Sequence, residues 1–438
     1  RRPRARHPND GYLRVEKVGP DRRTSFTYRA GDLEAYGKVE HIELVFLHDW
    51  SISRVGLRSI DTESRTVTLR DPVGPASRHF AMDWFEPDPR YFLEGSPSFL
   101  DRPGEWVLDV EKKELLYRPV PGESPSGIRA IAPATEALVV VRGDEATGKP
   151  VRGLAFVGLT FEHCAFPLPP HGYAAGQAGF HEERVVPGGG ALRRPMPAAL
   201  TFEIAEDCRF ERGRIERCGG SALRFGSRAR RNVIASSVIR DVGGNGIMIG
   251  EEQTRHIDGQ PWWRAAPDQV ASENVVIDCL IERCGAQFYG AVGVWVGLAE
   301  KTRIAQNEIR HLPYTGVSVG WMWSTTPTPC RENVVERNHI HHVMQILSDG
   351  GGIYTLGIQP GSILRGNHIH DVPRNSGRAE SNGMFLDEGT TGFIVEGNAI
   401  HDTDRSSIRF HRATTNTVRG NVLLTPPDVP PFRYNSTD

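Results

Sequence analysis

Gly352-Ile-Tyr-Thr-Leu-Gly-Ile-Gln-Pro-Gly-Ser-Ile-Leu-Arg-Gly-Asn-His-Ile-His-Asp371 is followed, 31 positions on, by Gly383-Met-Phe-Leu-Asp-Glu-Gly-Thr-Thr-Gly-Phe-Ile-Val-Glu-Gly-Asn-Ala-Ile-His-Asp402. The two segments align without a gap. Self-similarity at a period of about 20–50 residues marks a repeat architecture. Each unit reads as strand, turn, strand, Asn, strand, which predicts one coil of a parallel β-helix. The fold class is therefore all-β, and the alignment sets Asp387 where the preceding unit has Leu356.

Outward from these units, one apolar column runs Ile215, Ile239, Ile281, Ile309, Ile340, Ile369, Ile400, at spacings of 24, 42, 28, 31, 29 and 31. The long gap holds an insertion around Glu251–Glu273. Side chains alternate across a strand, so the residue after each Ile points outward. Those residues are Glu216, Arg240, Glu282, Arg310, His341, His370 and His401. The alternation of sign in the first four predicts stacked rungs and a solvated charge ladder. Asn307, Asn338, Asn367, Asn398 and Asn421 form a second column. Asn accepts a left-handed backbone and bonds its neighbour's amide in a stack, so the column predicts a corner between sheets.

A further strand column runs Gly246–Gly250, Gly293–Gly297, Gly316–Gly320, Gly352–Leu356, Gly383–Asp387 and Ser407–His411. Its outward set is Met248, Trp295, Ser318, Tyr354, Phe385 and Arg409, with Asp387 and His411 at the far end. Exterior aromatics have no core to fill, so they point to a ligand surface. Glycine at the fifth place of three coils predicts a trough leading to Asp387 and His411.

The 438 residues carry a formal net charge of −2, which asks for neither nucleic acid nor an anionic membrane. There is no apolar run of membrane-spanning length. Six cysteines without a C-x-x-C pair read as small buried hydrophobes, with a stacked disulfide as the other reading. The chain opens Arg1-Arg-Pro-Arg, without Met or a signal h-region, and reads as a processed product or a fragment. Residues 1–150 predict a β-rich, sandwich-like domain, and 151–438 the β-helix carrying the active site. Ile42–Trp50, Ser51–Ile60 and Thr66–Leu69 are its strand-like runs, and Glu105–Asp109 with Leu115–Arg118 reads as a hairpin. A boundary is plausible within Pro119–Pro133.

A groove of aromatics and carboxylates suits a sugar chain, because aromatic faces stack on pyranose rings and carboxylates do acid–base work at a glycosidic bond. The carboxylates singled out are Asp349, in a turn before three glycines, and Asp387. Trp321, Trp323 and Trp295 are candidate sugar platforms, while Tyr354, Glu388 and His411 are candidates to hold hydroxyl groups. His163 and His181 stand on loops the sequence does not place. His339, His341 and His342 have a metal-like look, but adjacent strand residues diverge, so no metal is expected. No organic cofactor is expected either, for want of a phosphate-cradling glycine loop.

The runs Gly316–Trp323, Asn338–His342, Leu347–Gly357 and Phe385–Gly389 resemble the right-handed parallel β-helix glycosidases of glycoside hydrolase family 141. Tyr91–Glu94, Pro103–Trp106, Leu159–His163 and Gln177–His181 are similar to stretches of the same proteins. The resemblance covers nearly the whole chain. It implies action on plant cell-wall glycans as an α-L-fucosidase or xylanase, with Asp349 and Asp387 as the catalytic pair. It also implies a secreted or periplasmic, monomeric enzyme whose partner is a carbohydrate. Such proteins usually have a β-helix coil before the β-domain; this chain lacks it, with 1–8 read as a remnant. One tension is geometric. Seven straight strand residues would separate Asp349 from the Asp387 level by about 23 Å, against roughly 5–9.5 Å for a glycosidase pair. The expected resolution is a fold-back at Gly350–Gly352, with Asp387–Glu388 or Asp387–His411 as the fallback pairs. Rival readings are a β-helix polysaccharide lyase, with Arg409 as its base, and a non-catalytic glycan-binding solenoid.

Overall fold

The computed structural model describes residues 2–84, 86–184, 192–375 and 377–437. They divide into two compact units: Arg1–Ala132 with Pro167–Pro195, and Pro133–Phe166 with Met196–Asp438. The division expected near residue 150 thus falls earlier. Val139–Arg142 already pairs in parallel with Ala198–Glu203 as part of the repeat. No helix among the described residues is long and apolar enough to cross a membrane.

In the first unit, Leu13–Val18, Ser25–Tyr28, Thr66–Leu69, Ser51–Asp61, Glu43–His48 and Arg90–Glu94 pair antiparallel in that order. Arg90–Glu94 then pairs back to Leu13–Val18, so the sheet closes on itself. Such short punctuated strands suit a sandwich or a barrel, and register shifts at Val15/Lys17 and Leu57/Ser59 bend them enough for one sheet to close. Val15, Phe26, Leu44, Phe46, Leu57, Val67, Tyr91 and Leu93 fill the interior from alternate positions. The predicted hairpin forms between Trp106–Asp109 and Glu114–Tyr117. The stretch 1–8 is not part of a coil, because Arg6–His7 pairs antiparallel with Leu93 and Glu94 in this sheet.

Burial pushes the imidazoles of His48 and His181 in this unit down to about 4. Their folded values lie below the ordinary 6.5 or so, so the stability they carry is complete above about pH 6.5 and is lost as pH falls towards 4. Lowering pH from 7 to 5.5 is expected to cost about 1 kcal/mol per imidazole. Denaturant midpoints of the wild type and of a His48→Gln/His181→Gln variant check this. Equal pH slopes in the two proteins would refute it.

The second unit is built from three parallel sheets of ten, nine and nine strands. Each coil gives a strand to each sheet, which is the architecture of a parallel β-helix. The predicted isoleucine column stacks in register from Ile215 to Ile400, each side chain buried. Beside it the charge ladder forms, with its carboxylates buried and its guanidiniums partly exposed to solvent. Glu216 is buried beneath Arg240 at 2.6 Å and Arg217 at 2.8 Å, and Glu282 beneath Arg310 at 2.9 Å and Arg283 at 3.0 Å.

The asparagine column also stacks. From Asn338 onward each Oδ1 accepts from the backbone and side-chain amides of the Asn one coil earlier, at 2.8–3.1 Å. The left-handed conformation falls on the residue before each Asn: Gln306, Arg337, Gly366, Gly397 and Gly420. The Asn itself is freed to point its amide along the stack. The insertion expected after Gly250 carries the four-residue α-helix Trp262–Ala265. All six cysteines are buried free thiols.

Candidate functional site

Ile247–Ile249, Val294–Val296, Val317–Val319, Gly350–Thr355, Ser381–Leu386 and Ile408–His411 stack in the ten-stranded sheet. Their register lines up Met248, Trp295, Ser318, Tyr354, Phe385 and Arg409 as one row, as the sequence predicts. Ser381–Leu386 ends at Asp387, where the chain turns: Thr390 N–H donates to the Asp387 carbonyl at 2.9 Å and Gly389 takes φ 78°. Leu386 pairs with Phe410, so Asp387 and His411 follow on adjacent rungs.

The Asp387 carboxylate is only 7% exposed and holds two short bonds. The Tyr354 hydroxyl donates to Oδ2 at 2.6 Å, and His411 Nδ1 lies 2.7 Å from Oδ1. Three consecutive coils therefore meet at one carboxylate. Burial, then the Asp387 charge, with smaller contributions including Asp349, holds the Tyr354 phenol pKa well above its ordinary value. The phenol stays a donor across the working range.

Asp349 lies at the other end of the strands, immediately before Gly350–Thr355. Its backbone is left-handed, at φ 59°, and its carbonyl accepts the Tyr314 hydroxyl at 2.9 Å. Its carboxylate is 3.4 Å from Arg409 Nη1. The Arg409 guanidinium lies over the Phe385 ring, 4.3 Å from its centroid, and its Nε donates to Asn435 at 3.2 Å. The expected fold-back at the glycines does not occur, since Gly350–Thr355 is strand paired with Ser381–Leu386. The turn is at Asp349 itself. What ties Asp349 to the row is Arg409, which bonds it while stacking on Phe385, two places before Asp387.

A right-handed beta helix region family model matches residues 270–425. A solved structure named "Glycoside hydrolase" is similar over 100% of this chain and 75% of its own, with a TM-score of 0.79 and 23% identity. The chain is a right-handed parallel β-helix. PfbA, a surface adhesin of Streptococcus pneumoniae, is similar over 70% of this chain and 75% of its own, at TM-score 0.42 and 9% identity. Pectate lyase Pel9A is similar over 67% and 66%, at TM-score 0.31 and 11% identity. A search of the curated proteins finds no match.

The aromatic row of this β-helix is not the open surface expected. Trp295, Tyr354 and Phe385 are buried, and Trp321 packs edge-on against Trp295 at 5.5 Å and Trp323 at 5.0 Å. Leaving such rings in water would cost roughly 2–3 kcal/mol each; Trp321, on a non-repeating loop, packs on Trp295, and Arg409 lies over Phe385. Of the three tryptophans only Trp323 keeps partial exposure. The trough expected at the fifth-place glycines is filled too: a Cβ on Gly297 would lie 2.3 Å from the Trp295 ring. Gly250 and Gly320 instead end their strands at φ 85° and 86°.

Glu388, half-buried, pairs with Arg412 at 3.1 Å, and it is His411 that lies against Asp387. His163 stands 3.4 Å from Glu162, and His181 is buried in the first unit. Glu380 was not singled out from sequence. It precedes the strand opposite Asp349, whose N–H donates to its carbonyl at 2.9 Å, and it pairs with Arg433. The 31-residue period that set Asp387 against Leu356 also sets Glu380 against Asp349, and was the signal that could have found it.

Proposed function

We propose that this protein is a glycoside hydrolase acting on plant cell-wall-type polysaccharide or oligosaccharide, with α-L-fucosides and xylan the first substrates to test. The reading includes action outside the cytoplasm as a monomer. The observation that carries it is the Asp387 carboxylate, set into the outer row of a β-helix and held by Tyr354 and His411 from the coils on either side. Asp387 and Asp349, which Arg409 ties to the row, are the catalytic pair: one protonates the leaving glycosidic oxygen and the other acts as nucleophile or as base for water. The likeness at 23% identity to a structure named as a glycoside hydrolase agrees with this chemistry. Arg409 already bonds Asp349 and Asn435 and stacks on Phe385, which makes it a poor lyase base.

The test is a screen on plant glycans and aryl glycosides with product analysis. New reducing ends are expected. Unsaturated products would replace the reading with a lyase, and binding without turnover would replace it with a glycan-binding solenoid.

Tyr354→Phe removes one donor from Asp387 while keeping the ring. A bond to a charged group is worth about 1.5–3 kcal/mol, so kcat/KM is expected to fall roughly 10–100-fold. An unchanged kcat/KM in folded Tyr354→Phe would count against Asp387 as a reacting group.

A further inference from the structure

The repeat also builds a group of imidazoles that this chemistry leaves unused. His339–His341 and His368–His370 are neighbouring strands of one nine-stranded sheet, paired His339 to His368 and His341 to His370. Ile340 and Ile369 are buried between them, so each flanking His stands on the outer face. The rings stack: His339 and His368 have centroids 5.0 Å apart at 6°, and His341 and His370 5.0 Å apart at 8°. Sequence alternation predicts that His341 and His342 diverge. His342 instead turns left-handed, at φ 51°, and the two Nδ1 atoms meet at 2.8 Å.

Two features point to a ligand here. First, His339 Nε2 and His370 Nε2 face each other at 2.7 Å, and one ring nitrogen from each of His339, His368 and His370 lies within 4.8 Å of the other two. Second, the Asp371 carboxylate lies 2.7 Å from His370 Nδ1. An Nδ1–H held by a carboxylate leaves the Nε2 lone pair directed at the shared space, which is how carboxylates orient metal-bound imidazoles. Tetrahedral zinc with Zn–N of about 2.0–2.1 Å sets its ligands about 3.3 Å apart. Opening the His339–His370 contact by a few tenths of an ångström and removing its shared proton makes that room.

We propose that His339, His368 and His370 bind a borderline divalent transition-metal ion, zinc foremost, across two coils of the β-helix. Neutral imidazoles suit zinc, nickel and copper, whereas calcium and magnesium require oxygen ligands. The site lies on a different sheet from Asp387, so it stands or falls independently of the hydrolase reading. Glu308, His339 and His341 form a second grouping that shares His339, so the two compete for one ion.

Isothermal titration of the chelator-stripped full chain with zinc at pH 7.5 tests the proposal. One zinc ion per chain at low-micromolar affinity or tighter is expected, with no calcium or magnesium binding, and with a rise in Tm that a His368→Ala/His370→Ala variant lacks. Asp371→Asn is expected to weaken zinc binding roughly 10–100-fold, while His341→Ala leaves it nearly unchanged. Failure of the wild type to take up zinc would overturn the proposal. So would zinc binding that survives His368→Ala/His370→Ala, including the case in which His341→Ala alone abolishes it.

Discussion

Asp387→Asn is expected to lower kcat/KM on the glycan substrate by about 1,000-fold while leaving the fold and substrate binding nearly intact. The loss corresponds to about 4 kcal/mol of transition-state stabilisation. The substitution preserves shape but removes the charge. It also sets an amide N–H against one of two donors, Tyr354 and His411, that now serve a carboxylate. Because the side chain sits at a strand end and its backbone N–H still donates to Thr355, the coil is expected to keep its register. Two further variants separate the roles. If Asp387 is nucleophile or base, Asp387→Gly regains turnover with added azide, a small anion able to occupy the vacated space. If Asp349 is the acid, Asp349→Asn loses far less on aryl glycosides with good leaving groups than on natural linkages. Full activity in folded Asp387→Asn would remove this mechanism.

The second large effect concerns stability. Asn338→Leu is expected to destabilise the β-helix by about 3–5 kcal/mol. Asn338 is 1% exposed, and its Nδ2 donates to the Ile304 carbonyl at 2.9 Å and to Asn367 Oδ1 at 3.0 Å. Its Oδ1 accepts from the Asn307 backbone N–H at 3.0 Å and from Asn307 Nδ2 at 2.9 Å. Leucine fills the volume but leaves the Asn307 N–H and the Ile304 carbonyl buried without these partners, at about 1–3 kcal/mol each. In a stack of coils the damage falls on the two neighbouring interfaces. Asn421→Leu, at the half-buried end of the same column, is the control, because water can replace its lost bonds. Urea unfolding of both variants checks the contrast. A difference between them of less than about 1 kcal/mol would be inconsistent with a buried amide stack.

The stacking was legible because a solenoid writes its geometry into sequence twice. Alternation within a strand has a period of two, so Ile340 in implies His339 and His341 out. Spacing between strands equals the coil length, so Ile340, Ile369 and Ile400 had to stack once one coil was recognised. The same two rules set Tyr354, Phe385 and Arg409 in one row and brought Asp387 beside His411. They failed at turns, which alternation along a strand does not describe. Asp349 does the turning expected of three glycines, and His342, left-handed like Arg283, His311 and Asp371 at the same place in other coils, brings together two rings that alternation would part.

By itself the sequence determined the β-helix, its inward isoleucines, its asparagine corner and the level at which Asp387 stands, because each is a periodic property of neighbours along and across the coils. Only the tertiary structure decided that the aromatic row is covered, that Arg409 joins Asp349 to that row, that the first unit closes into one sheet and that three imidazoles converge on a neighbouring face. Those outcomes depend on non-repeating loops, long side chains and single backbone reversals. Their partners are chosen by packing and burial in three dimensions, and no periodicity along the chain encodes them.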